Sequence, residues 1–174
     1  MVQNTIKSHI IPIINLFGNN MALFLSTTLN KIDSKSRVSV PSNYRSTLNK
    51  QSFKGIIAFP SYTLNCLDSC GIDRMEAIAD NLDQNDDYSK EEFDLISLYF
   101  SEAEKIPFDK EGRIIIPKRL LDHTSIKDQV LFVGLGPTFQ IWEPKSYDNQ
   151  KKRTIQKALE RNLNPRLSPI PRGI

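Results

Sequence analysis

The sequence has little of what metal centres and disulfide frameworks are built from. Its 174 residues include two cysteines, Cys66 and Cys70, and two histidines, His9 and His123. The cysteines form a C-x3-C pair, and neither histidine lies at a zinc-finger spacing from them. We therefore expect no metal site and no cofactor. We expect both cysteines to be small packing residues in the reducing cytoplasm.

Long apolar runs are also missing. The apolar run near the start, residues 9–17, is interrupted by Pro12 and is too short to span a bilayer. It lacks the strongly basic start and the small-residue cleavage site of a secretory signal. We expect residues 1–20 to be a disordered extension and Met21 to be the natural first residue of the domain, and we expect no membrane partner.

Catalytic motifs are absent as well: there is no nucleophile elbow, no glycine-rich phosphate loop and no metal-ligand spacing. The catalytic alternative is a carboxylate pair of Asp33 and Asp109. Each is followed by lysine and arginine that would keep it ionised, whereas acid-base chemistry needs a shifted pKa in a pocket. We expect the protein not to be an enzyme and to have no small-molecule substrate.

Charge is segregated along the chain, although the formal net charge is only +3. Residues 25–55 carry six basic residues and one acidic residue, a balance of +5, and residues 68–104 carry two and twelve, a balance of −10. Residues 145–174 carry eight and two, a balance of +6. Such blocks are often solvated faces, but basic and acidic faces on one molecule also suit an anionic partner or head-to-tail self-association.

A nine-residue pattern occurs twice. DSKSRVSVP at residues 33–41 recurs as DKEGRIIIP at residues 109–117, an offset of 76. Two copies are too few for a solenoid. They predict a pseudo-two-fold object in which hairpins of the two halves interleave into one small closed β-structure, with the two equivalent loops on one face.

The pattern around each nonapeptide predicts strand, strand, short helix, strand, strand and helix. Residues 22–33 alternate as a strand, and Val38 and Val40 begin a second strand that we expect to pair with the first as a hairpin across a tight polar loop. Pro41 and Pro117 then lie where a helix tolerates proline, in its first turn. From Ile106 the same order restarts.

Apolar residues three and four apart predict three longer helices. The second begins at a capping box of Ser89 with Glu92, and we expect its wide apolar surface to be covered by the other half or by another subunit. The third is basic and ends before a tail that we expect to be mobile. The apolar faces comprise Ile72, Met75, Ile78, Ala79 and Leu82, then Phe93, Ile96, Phe100 and Ala103, then Ile155, Ala158, Leu159 and Leu163.

The repeated loop carries an aspartate four residues before an arginine. Such an aspartate can accept backbone N–H bonds and orient the guanidinium, which can then bind a phosphate or a guanine edge bidentately. The same pattern is also compatible with an ion pair that only closes a hairpin. Gly112 suits a positive φ, so Ser36 in its place predicts strain or a different turn type.

The pattern Asp-x-Lys-Gly-Arg-x-x-x-Pro followed by an aromatic residue and an arginine, here DSKSRVSVPSNYR and again DKEGRIIIPKRL, resembles the MraZ family of the AbrB-like (SpoVT-AbrB) superfamily. The segment VLFVGLGPTFQIWEP is similar to that family's second-half signature. The resemblance covers residues 21–163, and Ser36 departs from the family's glycine.

The resemblance implies an α+β, β-rich fold: tandem AbrB-like modules that form a pseudo-two-fold swapped-hairpin, or double-split, β-barrel with flanking helices. With it we divide the chain into the extension 1–20, a first module with helices 21–104, a second module with its C-terminal helix 105–163, and the tail 164–174.

The resemblance also implies a bacterial, cytoplasmic, nucleoid-associated transcription regulator. Members form ring-shaped homo-oligomers, bind tandem repeats in double-stranded promoter DNA and repress their own division and cell-wall operon. An antitoxin-like or structural interaction module of the same fold is the alternative. The implied DNA-binding residues are Lys35, Arg37, Lys110 and Arg113, with Asp33 and Asp109 orienting the loops; Lys110 and Lys118 are basic neighbours without a strict match.

Overall fold

The structure, a computed structural model, describes residues 22–84 and 88–163. The predicted extension and tail lie outside these residues. The first copy of the repeat contains β1 (Thr27–Lys31), β2 (Arg37–Ser39), α1 (Ser42–Leu48), β3 (Gly55–Pro60), β4 (Cys66–Cys70) and α2 (Ile72–Gln84), followed by α3 (Lys90–Glu102). The second copy contains β5 (Glu104–Pro107), β6 (Arg113–Ile115), α4 (Lys118–Thr124), β7 (Gln129–Gly134), β8 (Phe139–Trp142) and α5 (Pro144–Glu160).

The internal repeat is visible in the elements. β2 and β6, like α1 and α4, keep the offset of 76 seen in the sequence, and each copy runs strand, strand, short helix, strand, strand, helix. Pro41 and Pro117 are the N-cap residues of the two short helices. The capping box of Ser89 and Glu92 opens α3 as predicted.

The six-stranded antiparallel sheet interleaves the two copies, as the repeat predicts. Its strand order is β1-β7-β8-β4-β3-β5. β1 of the first copy pairs with β7 of the second, from Thr27 opposite Val133 to Lys31 opposite Gln129. β5 of the second copy pairs with β3 of the first. Each copy thus completes the sheet of the other.

The predicted hairpin of the first two strands is wrong. The turn reverses the chain, but β1 and β2 share a single bridge between Ile32 and Val38. Beyond that bridge their ladder hydrogen bonds go to the other copy, because β1 pairs with β7 and β2 pairs with β6. The first strand is also shorter than predicted, since Ser26 has a φ of 69° that interrupts the extended run.

The fold class is α+β, with a large antiparallel sheet, the two-stranded β2–β6 ribbon and five helices in the described ranges. β1 and β5 are the two edges of the six-stranded sheet. The closed swapped-hairpin barrel therefore stays a prediction. No helix within residues 22–84 or 88–163 is long and apolar enough to cross a bilayer.

One hydrophobic core is shared by both copies, and four aromatic rings lie in it. The ring of Tyr44 is 5.2 Å from those of Phe24 and Phe139, and 6.3 Å from that of Phe132. All four side chains are fully buried. Burial raises the pKa of Tyr44 to about 12, and its hydroxyl donates to the carbonyl of Ser26 at 2.9 Å.

A second, smaller cluster lies where α2 and α3 pack on the first copy's strands. Its buried members are Ile57, Cys70 and Met75, and Phe100 of α3 packs against them partly buried. Cys66 and Cys70 are free and buried, and burial raises the pKa of Cys66 to about 12, so both act as packing residues. α5 differs from this pattern, since none of its residues is buried.

Substitution of Tyr44 separates ring packing from the hydroxyl bond. We expect Tyr44→Ala to lower the free energy of unfolding by about 3–5 kcal/mol, because it empties the centre of the aromatic group. Tyr44→Phe should cost about 1 kcal/mol, because the Ser26 carbonyl keeps its bond from the Gly134 N–H. Urea unfolding of both variants measures the difference, and equal losses would show that ring packing contributes little.

Candidate nucleic-acid interface

The first loop is organised around the carboxylate of Asp33. Its Oδ1 accepts the backbone N–H groups of Lys35 and Arg37, each at 2.9 Å. Its Oδ2 accepts from Arg37 Nε at 2.7 Å and lies 2.7 Å from Nη2. The Ser36 N–H closes the turn on the Asp33 carbonyl at 2.9 Å. One carboxylate therefore fixes both the turn and the direction of the guanidinium.

The second loop repeats this geometry. Asp109 Oδ1 accepts the N–H groups of Glu111 and Arg113 at 2.9 Å each, and Oδ2 accepts from Arg113 Nε at 2.7 Å. Both the ion pair and the oriented arginine expected from the sequence are thus present in one arrangement. Binding of DNA by these residues stays a prediction.

The bonds to each carboxylate favour its ionised form. The side-chain bond from Arg37, followed by the backbone bond from the same residue, lowers the pKa of Asp33 from 3.8 to about 2. The backbone bond from Arg113, with that residue's side-chain bond, lowers the pKa of Asp109. The hydrogen bond to Asp109 in turn raises the pKa of Arg113, and nearby Asp33 adds to this. Both loop aspartates therefore remain ionised at neutral pH.

The β2–β6 ribbon brings the two arginines onto one surface. Its register places Arg37 opposite Ile115 and Ser39 opposite Arg113. Because side chains alternate along a strand, these four residues share one face. The central residue of each strand points the other way and is buried in the core. Arg37 and Arg113 are thus diagonal neighbours on the open face of the ribbon. We call the ribbon with loops 33–37 and 109–113 the ribbon interface.

The two loops differ in charge. Lys35 occupies the place that Glu111 has in the second loop, at the offset of 76. Glu111 Oε2 accepts from Arg113 Nη2 at 2.6 Å, so two carboxylates hold this guanidinium. Counting Lys110, the second loop carries no net charge, whereas the first carries one positive charge. The first loop is therefore the more electropositive half of the ribbon interface.

Ser36 makes the same turn as its glycine counterpart. Its φ is 59° and that of Gly112 is 74°, both left-handed, so the expected strain is present and the alternative turn type is not. A Cβ on Gly112 would overlap the guanidinium of Arg45. Arg45 Nη1 donates to the carbonyls of Glu111 and Gly112 at 3.1 and 3.4 Å. Any larger residue at position 112 would therefore be strained and would have to displace the Arg45 side chain, so glycine is favoured in the second loop.

The first loop has no equivalent clamp. The residue of the second copy that corresponds to Arg45, 76 positions later, is Leu121, which has no charged side chain to bind the loop carbonyls. This explains why the first loop accommodates a serine. The repeat pattern does not predict this role of Arg45, although Arg45 is the last residue of the segment DSKSRVSVPSNYR. Its contact lies 66 and 67 residues away in the chain, which no local pattern reveals.

Each loop is also tied to the other copy. The Ile116 N–H donates to the Ser36 carbonyl at 3.0 Å, and the Val40 N–H donates to the Gly112 carbonyl at 3.2 Å. These bonds anchor both loops to the β2–β6 ribbon, so the loops and the ribbon form one fixed surface.

The predicted lysines are less constrained. Lys35 and Lys110 are exposed on the loops. Lys118 lies on α4 and binds Asp122 at 2.6 and 2.8 Å, so part of its charge is neutralised within its own helix. In the described part of the chain, no group of His, Cys, Asp and Glu residues is arranged to hold a metal ion.

The chain is similar to proteins of known name along most of its length. The profile of the family described as "MraZ protein, putative antitoxin-like" matches residues 99–165. A protein named Transcriptional regulator MraZ from Rickettsia bellii (strain OSU 85-389) is 43% identical over 147 residues, covering 84% of this chain and 98% of the relative. Proteins of the same name from Rickettsia rickettsii (strain Sheila Smith) and Rickettsia akari (strain Hartford) are 42% and 40% identical over 146 residues, with the same coverage.

A double-mutant cycle tests the contact between Gly112 and Arg45. We expect Gly112→Ala to lower the free energy of unfolding by about 2 kcal/mol, because it adds left-handed strain and displaces Arg45. In an Arg45→Ala background the loss should fall to about 1 kcal/mol, since only the strain remains. Ser36→Gly is the matched control and should be nearly neutral, because relief of strain offsets added freedom in the unfolded chain. Equal losses in both backgrounds would contradict the contact.

A titration tests the loop carboxylate. Because the pKa of Asp33 is lower in the folded protein than the usual 3.8, its contribution to stability is present above that value and is lost as the pH falls through about 2. We expect the Asp33 carboxyl carbon, followed by NMR, to titrate near 2 in the wild type and higher in Arg37→Ala. A wild-type midpoint at or above 3.8 would contradict the geometry.

Proposed function

The chain belongs to the MraZ family, and on that premise we propose that it is a transcriptional regulator that binds double-stranded promoter DNA through the ribbon interface. One observation carries the proposal: Arg37 and Arg113 are diagonal neighbours on the exposed face of a two-stranded ribbon, each held by an aspartate. The name Transcriptional regulator MraZ, borne by relatives 40–43% identical, supports the same function.

The shape and chemistry of the ribbon suit duplex DNA. A two-stranded β-ribbon fits the major groove, which is about 12 Å wide. A guanidinium has five N–H donors, so Arg37 retains donors for DNA beyond those that bind Asp33. Orientation by the aspartate lowers the entropy lost on binding. We propose that the arginines contact base edges or clamp phosphates, with Lys35 and Lys110 adding attraction to the backbone.

We propose unequal roles for the two loops. The first has one net positive charge and an arginine held by one carboxylate, whereas Arg113 is held by both Asp109 and Glu111. Removing Arg113 from its partners costs more, so less of its interaction energy is available to DNA. The first loop is therefore expected to supply more of the affinity.

The larger setting is proposed from the family resemblance. One subunit presents few positive charges, so its binding is weak and sensitive to salt. A ring-shaped homo-oligomer that presents several ribbons to tandem promoter repeats gains affinity through effective concentration. We propose that the protein acts in this way, in the cytoplasm and at the nucleoid, to repress its own division and cell-wall operon. We propose further that the ribbon closes the sheet into a swapped-hairpin barrel, and we assign no catalytic role.

An antitoxin-like interaction module is the second candidate, because the description of the matching family includes the term "antitoxin-like". Such a module would use the same surface or another one to bind a protein. Direct binding of purified protein to duplex DNA separates the two functions, since the module would bind DNA only with its partner or not at all.

Substitution of the two arginines tests the proposal. We expect Arg37→Ala to weaken binding to DNA from upstream of the gene by about 1–3 kcal/mol and to flatten the salt dependence, and Arg113→Ala to do so less. Arg37→Lys should restore affinity only if the contact is to phosphate, because lysine keeps the charge but not the planar fork. Fluorescence anisotropy at several salt concentrations gives both quantities.

Lys90→Ala is the control, since it removes one positive charge at the start of α3, outside the ribbon interface. Its affinity should equal that of the wild type. If neither arginine variant weakens binding or changes the salt slope, the loops are structural and the proposed contact with DNA is wrong.

A further inference from the structure

α5 leaves an apolar stripe in solvent. Ile155, Leu159 and Leu163 are 50%, 77% and 62% exposed, and their spacing of four places them on one face. Lys151 and Lys152 lie on or beside this face, four and three residues before Ile155. A helix gains most of its stability from packing such a face, which nothing in the described residues of the subunit covers. We call Lys151, Lys152, Ile155 and Leu159 the basic stripe.

α3 exposes a counterpart of opposite charge. Leu95 and Leu98 are 40% and 42% exposed although Ile96, between them, is buried. Glu91 and Asp94 are also exposed, and their helical spacing places them on the same face as the two leucines. Tyr62, 41% exposed, extends the apolar surface, since its hydroxyl is 3.4 Å from the Leu98 carbonyl oxygen. We call Glu91, Asp94, Leu95 and Leu98 the acidic patch.

The helices that carry these surfaces are complementary in charge. α5 has five basic and two acidic residues, and α3 has one basic and four acidic residues. Neighbouring α2 also has one basic and four acidic residues, so it extends the acidic field. Opposite charge around two apolar surfaces favours their contact and disfavours contact of either surface with itself.

We propose that the basic stripe of one subunit docks on the acidic patch of a second copy of this chain. The two surfaces differ, so the contact is head-to-tail and leaves one of each free for a further subunit. Such an interface closes into a ring when the rotation between neighbours permits. For ring closure the inference rests on the proposed function. The contact joins α5, in the C-terminal repeat of one subunit, to α3, which follows the N-terminal repeat of the neighbouring subunit.

Reciprocal charge reversal tests the contact. Variant X carries Lys151→Glu and Lys152→Glu, so its stripe becomes acidic. Variant Y carries Glu91→Lys and Asp94→Lys, so its patch becomes basic. All four side chains are exposed, so the fold should survive, which circular dichroism checks. X alone and Y alone should each self-associate at least tenfold more weakly than the wild type, because like charges then face each other.

Mixing X with Y should restore assembly, because the acidic stripe of X fits the basic patch of Y and the unchanged surfaces also fit. Analytical ultracentrifugation without DNA measures the sizes. Leu159→Ser should weaken self-association about tenfold through lost apolar contact, with Thr154→Ser on the same helix as the control. Full assembly of X or Y alone, or no rescue on mixing, would overturn the contact.

Two other outcomes would also overturn it. A wild type that stays monomeric in solution would show that no second copy binds. A monomer that binds vesicles of phosphatidylglycerol through the basic stripe would assign that stripe to a membrane surface. DNA binding is measured separately with the arginine variants, so failure of this contact leaves the ribbon interface intact, and failure of the ribbon interface leaves assembly intact.

Discussion

The exchange of first strands between the two copies is the constraint on which the rest of the structure depends. β1 completes the sheet beside β7, and β5 completes it beside β3. This exchange leaves β2 and β6 to pair with each other and buries Val38 and Ile114 in the common core. The ribbon interface is the direct product, because only paired second strands place both loops on one surface. Without the exchange, each arginine would lie on a separate hairpin.

The two copies share a backbone conformation that places both loops on one surface, but their side chains differ, so the two halves of that surface are unequal. The backbone of both turns is the same, including the left-handed residue at the fourth position. The side chains around them have diverged: Arg45 holds the carbonyls of the second loop, and Glu111 takes up part of the charge of Arg113. The first loop has lysine at that place and no clamping arginine. The second loop is therefore the more tightly held, and the first loop is the more positively charged.

Much of the fold and of the candidate site can be predicted from the sequence, namely the features that depend on residues close together in the chain. The repeat predicted the order of elements and the interleaving, and the capping box of Ser89 and Glu92 fixed the start of α3. The hairpin prediction failed because pairing of β1 and β2 competes with pairing to the other copy, and local alternation cannot decide that competition. The same limit concealed the reach of Arg45 and the positive φ of Ser26, which depend on contacts distant in the chain.

Strand exchange also bears on synthesis of the chain. Thr27 of β1 can pair with Val133 of β7 only after Val133 has been synthesised and has left the ribosome. Until then the strands of the first copy have unpaired edges. Such non-local pairing slows folding. Exposed edges invite pairing with another nascent chain, which would exchange the same strands between molecules. The strand exchange that brings the two loops together therefore makes the partly synthesised chain especially prone to misassembly.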